Sequence, residues 1–115
     1  MAVATHNLKL EKGVYYETVF TFLDANSSAI NLTGFTFKSE VRRKSTEELE
    51  SSFTCTITEA VNGKMKMTMA ASETEVLPDE DELMYDLLAK DSADNVHRYI
   101  KGKITVTDTI TDPSF

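Results

Sequence analysis

With 115 residues, 41% of them hydrophobic and 27% charged, the chain is long enough to bury one core without a disulfide or a metal and too apolar to be globally disordered. Nineteen acidic against twelve basic residues leave a net charge of −7, which repels phosphate backbones and anionic lipid heads and sets aside nucleic acid and membrane surfaces as partners. The single cysteine, Cys55, excludes an intrachain disulfide.

Residues 1–12 are mixed and polar. Leu8 and Leu10 alternate with Lys9 and Glu11, which predicts a short edge strand or an arm that pairs elsewhere. After Gly13, the run Val14 to Phe22 places Tyr16, Thr18, Phe20 and Phe22 on one face of a strand and Tyr15, Glu17, Val19 and Thr21 on the other. The cluster Asp24 to Ser28 predicts a turn, because Asp, Asn and Ser bond nearby backbone, and a return through Ile30 and Leu32. Phe35, Phe37, Ser39 and Val41 form the inner face of a third strand. The charged residues 42–52 read as a solvated loop. Phe53, Cys55 and Ile57 then lead through Asn62-Gly63, a strong hairpin signal, to Met65, Met67 and Met69 on one face.

At Ala70 to Leu77 the two-residue period breaks. Ser72 with Glu75 fits a capping box on one short helix, with Val76 and Leu77 plugging the end of the core before Pro78. The acid run Asp79 to Glu82 precedes a long hairpin: Leu83, Tyr85 and Leu87 face inward on one arm, and Val96, Arg98, Ile100, Gly102, Ile104 and Val106 on the other. Gly102 inside this arm predicts a bulge or a close approach. The segments 21–32 and 86–100 share an Asp-and-Ser turn between apolar arms, read as common turn chemistry and not as an internal repeat. Seven or eight short strands with one helical turn predict an all-β antiparallel sandwich over residues 13–107, flanked by arms at 1–12 and 108–115, with a barrel as the alternative.

No stretch approaches the length of a membrane helix, and the first ten residues lack the charged start and apolar middle of a signal peptide, so the chain is expected to stay unexported. His6 and His97 stand 91 positions apart with no second ligand at metal spacing. Asp79 to Glu82 lacks the alternation and turn glycine of a calcium loop. No nucleophile stands with a base, so the residues predict neither enzyme, cofactor nor metal. Tyr15, Tyr16 and Tyr99, with Phe115 on the C-terminal arm, are the candidates for partner contact; the three tyrosines would stack on sugars if exposed together.

Ile30 to Phe35 (INLTGF), the strand ending Val41-Arg42, Ala70 to Thr74 (AASET), Tyr85-Asp86-Leu87, and Val96-x-Arg98 followed by Gly102-x-Ile104-x-Val106 occur in that order. The pattern resembles small phage virion domains, similar to the N-terminal domain of the upper baseplate protein in phages of lactic-acid bacteria. The resemblance implies an immunoglobulin-like β-sandwich that builds or decorates a tail, baseplate or fibre attachment. It implies contacts with other virion proteins and copies of itself, assembly in the host cytoplasm, and no catalytic residue. A receptor- or carbohydrate-binding module and a head decoration protein are the alternatives. Ser28 and Asn95 stand where hairpin glycines are usual. Relatives of this kind continue into a receptor-facing part, so a free-standing version is expected to attach through its own surfaces and ends.

Overall fold

A computed structural model describes residues 4–78 and 82–114. It is an all-β chain with one short α-helix and one 3-10 turn, Ala60–Asn62. The strands are β1 (Ala4–Thr5), β2 (Leu8–Glu11), β3 (Tyr16–Thr21), β4 (Thr36–Arg43), β5 (Leu49–Glu59), β6 (Lys64–Met69), β7 (Leu83–Lys90) and β8 (Val96–Thr107), with α1 (Ala71–Glu75) between β6 and β7. They follow one curled path, β1-β8-β7-β4-β5-β6-β3, with β2 also on β8. β5 makes the curl: its first half pairs with β4 and its second half with β6.

The alternation of the sequence sets the core. Met65, Met67 and Met69 of β6 and Leu83, Leu87 and Ala89 of β7 are all but fully buried, and Val41 and Leu32 join them. Each such Leu or Met contributes about 1.5–3 kcal/mol of transfer free energy. Aromatic rings lock the two halves of the curl together: Phe22 lies 5.3 Å from Tyr99 and 5.6 Å from Phe37, and Phe53 lies 6.0 Å from both Tyr16 and Tyr85. Ser39, the polar residue on the inner face of β4, donates its hydroxyl to the Asp86 carbonyl at 2.6 Å.

Five expectations are corrected. The charged residues 42–52 are not a loop throughout, because β5 begins at Leu49 and its polar first half pairs with β4, supported by the Arg43–Glu50 ion pair. Ser72 does not cap the helix. The cap is Ala70, whose N–H donates to the Glu73 carboxylate at 3.3 Å, and this phase buries Thr74, whose hydroxyl sits 2.9 Å from the Val14 carbonyl. Leu77 is buried as expected, but Val76 is 71% exposed.

On β8 the inner face changes phase. Leu87 pairs with Ile100 and the adjacent Leu88 with Arg98, so Tyr99 is the extra residue of a β-bulge. Tyr99 and Ile100 are both buried, whereas Val96 and Arg98 point outward, against the uniform register expected. The fifth correction concerns direction. The sheet is mixed, because β1 and β2 run parallel to β8.

The N-terminal residues are therefore part of the fold. Leu8 and Leu10 lie in the core. β1 and β2 share one register on β8, interrupted only at His6-Asn7: Asn7 Oδ1 replaces a backbone carbonyl as acceptor for the Lys103 N–H at 3.0 Å. The displaced His6 carbonyl presses on Gly102, where any Cβ would overlap it. Gly102 thus marks a close approach, and the bulge sits at Tyr99. At the other end, residues 108–114 form no strand, and Pro113 packs against Gly13.

The two hairpin turns are the same object. Asp24 accepts the N–H groups of Asn26 and Ser28 at 2.8 and 3.0 Å; Asp91 accepts those of Ala93 and Asn95, both at 2.9 Å. Asp24 N–H donates to the Ser28 carbonyl, and Asp91 N–H to that of Asn95. The left-handed residue is Ser27 (φ 63°) in one and Asp94 (φ 65°) in the other, one position before Ser28 and Asn95.

Candidate functional site

The partner-contact candidates are not brought together. Tyr15 lies on the outer face of the β3 strand run, 55% exposed, its hydroxyl donating to Glu17 Oε1 at 3.1 Å. Tyr16, on the opposite face, packs on Phe53, and burial pushes its hydroxyl pKa up. Tyr99 is 8% exposed, stacked flat on His97 at 5.8 Å and packed on Phe22; burial and then Asp91 push its pKa up. Phe115 lies outside the described residues. Of the three tyrosines, only Tyr15 offers an open aromatic face, so the exposed tyrosine cluster required for sugar stacking does not form.

The histidines are also apart. His97 Nε2 lies 3.0 Å from Asp91 Oδ2, a contact that with the turn N–H groups holds the Asp91 carboxyl below its ordinary range. His6 meets the edge of the Phe20 ring at 5.6 Å. Among the described residues no three His, Cys, Asp or Glu side chains gather as a metal would require; Asp79 to Asp81 of the acid run lie outside them.

A concavity lies on the outer face of β8, β7 and β4, where alternation leaves side chains pointing away from the core. It has a volume of about 550 Å³. Met84 and Leu88 of β7 give it an apolar floor. Its walls are charged: Arg42 on β4 and Lys44 just after it, Arg98, Lys101 and Lys103 on β8, against Glu40, Glu82 and Asp86. Five cations meet three carboxylates here, in a chain of net charge −7.

These charges are largely paired. Arg42 holds Glu40 at 2.9 Å, and Arg98 lies 3.3 Å from Asp86. Glu82 is clamped by Lys103 at 2.9 Å and Lys44 at 3.3 Å, which keeps its carboxyl below the ordinary range, Lys103 first and Lys44 second. Arg42 does the same for Glu40. These partners sit in solvent, where each pair is weak, so the lattice orients side chains more than it stabilises the fold. The surface can hold a polar or acidic segment over an apolar strip.

The sequence reading missed this face. Its signal was present as the outward set Lys101, Lys103, Met84, Asp86, Glu40 and Arg42, but only the β4-β7-β8 order makes the set contiguous. Cys55 faces inward on β5, half-buried, and desolvation pushes its thiol up to about 11. No helix among the described residues is long and apolar enough to cross a membrane. No protein-family model matches this chain, and no curated protein matches it.

Proposed function

We propose that this protein is a non-enzymatic structural component of a phage particle, an immunoglobulin-like β-sandwich that serves assembly or attachment in the tail, baseplate or fibre region. The observation that carries the reading is where the resembling motifs fall. Leu32 of INLTGF is fully buried, and Thr74 of AASET ties α1 to Val14. Tyr85 and Leu87 are core residues of β7, and Gly102, Ile104 and Val106 form the β8 segment against β1 and β2. Part of the resemblance thus lies in core residues, whereas Val96 and Arg98 of the same pattern are exposed.

Strand order supports the same reading. The run β8-β7-β4-β5, the run β5-β6-β3 and a first strand lying parallel on the last are the arrangement expected of an immunoglobulin-like sandwich. The charged face over β8, β7 and β4 suits contact with another protein. Mass spectrometry of purified particles from the phage or induced prophage that encodes the chain tests the proposal. Stoichiometric presence supports it, and absence from particles overturns it. Imaging of the intact particle separates tail, baseplate and head positions.

A further inference from the structure

Among the described residues, β3 pairs with no strand but β6. Phe22 N–H donates to the Gly63 carbonyl at 2.8 Å, in continuation of that ladder. Antiparallel alternation then turns the backbone groups of Thr18 and Phe20 toward β6 and those of Glu17, Val19 and Thr21 away from it. The latter three backbones have no partner among the described residues. β2, the strand that precedes β3 in the chain, lies on β8. Of the devices that guard an open edge β3 carries only one charge, Glu17: its sequence YETVFT has no lysine and no proline, and its ladder has no bulge.

We propose that β3 pairs with β3 of a second copy of this chain, antiparallel about a twofold axis at Val19. The exposed side chains beside the edge select this register. Tyr15, Val19 and Leu23 are 55%, 53% and 46% exposed and spaced symmetrically about Val19. The twofold therefore sets Val19 against Val19 and each Tyr15 against the Leu23 of the other copy, so every exposed apolar side chain meets another. Glu17 falls opposite Thr21, so this register opposes no like charges, and each Glu17 keeps its own Lys66 at 3.6 Å. An axis at Glu17 would oppose two carboxylates. The two curled sheets become one continuous sheet, with Val19 exchanging both backbone hydrogen bonds with its twin.

Sedimentation of the full chain over about 1–500 μM tests this, a range suited to an interface of one strand a side. A dimer is expected. Val19→Lys, at an exposed site, should keep the circular dichroism spectrum and melting temperature and raise the dimer dissociation constant about tenfold or more. In a Cys55→Ser background, Val19→Cys should crosslink to a dimer with a short bis-maleimide, and Val61→Cys, exposed in the 3-10 turn between β5 and β6, should not. A monomer at the highest concentration overturns the proposal. So does a dimer that Val19→Lys leaves intact, or crosslinking as efficient at position 61 as at 19. The inference goes beyond the virion reading and stands on edge geometry alone, so sedimentation and particle composition fail independently.

Discussion

The hydroxyl of Tyr85, a core residue of β7, donates to the carbonyl of His6 at 2.5 Å. It takes up the one N-terminal acceptor that the β8 ladder leaves out between β1 and β2. Tyr85→Phe removes the donor and leaves that carbonyl unsatisfied, at a cost of about 1–3 kcal/mol. Urea unfolding of the two proteins measures it. The pH dependence has a definite sign. Burial, then the neighbouring Tyr16, raise the Tyr85 pKa above its ordinary 10.0. Its contribution is complete below pH 10 and is lost as pH rises toward the folded value, so Tyr85→Phe should flatten the alkaline loss of stability.

Gly102→Ala should destabilise by about 1–3 kcal/mol, because its Cβ meets the His6 backbone and the Tyr85 ring. Gly102→Val should exceed it. Hydrogen exchange should show protection lost first at β1 and β2. Melting temperatures equal to that of the parent would refute the close approach.

Ser27 and Asp94 hold left-handed backbone in the two matching turns. Ser27→Gly and Asp94→Gly each relieve that conformation, and after the entropy cost of glycine should stabilise the protein by about 0.5–1 kcal/mol. Ser28→Gly and Asn95→Gly, at the positions a glycine pattern would suggest, should bring no such gain. Thermal melts of the four variants decide it.

Leu10→Ala should cost about 2–5 kcal/mol, since the side chain is 1% exposed between β2 and the core. Removal of residues 110–115 should cost far less, because Ile110 is fully exposed and Pro113 is only partly covered. Parallel denaturation curves compare the two ends.

Cys55 should label slowly with a thiol reagent at pH 7.5 and at once in denaturant, because desolvation holds its pKa at about 11. Its thiol stabilises the protein below the ordinary value of 9.0 and loses that contribution as pH climbs through the folded value. Fast labelling of the folded protein would place the side chain in solvent.

Strict alternation made Met65, Met67 and Met69, and Phe35 through Val41, readable as inner faces from the sequence. The same alternation misled on β8, where one inserted residue reverses the phase. The only local sign is the adjacent bulky pair Tyr99-Ile100, both buried. The first half of β5 was illegible because its side chains are polar and its place is set by the β4 backbone. Ser72 offered the better cap by residue type, but burying Thr74 against Val14 shifts the helix start to Ala70. The charged face and the open β3 edge depend on strand order, which joins residues far apart in the chain.

The parallel lie of β2 on β8 pairs Leu8 with Ile104 and Leu10 with Val106, 96 positions along the chain. During synthesis β2 emerges before β8, its template. Until β8 has been made, Leu8 and Leu10 lack the strand they pair with in the folded chain. Folding must then close its longest loop as one of its final steps, which makes this a slow-folding topology for its size.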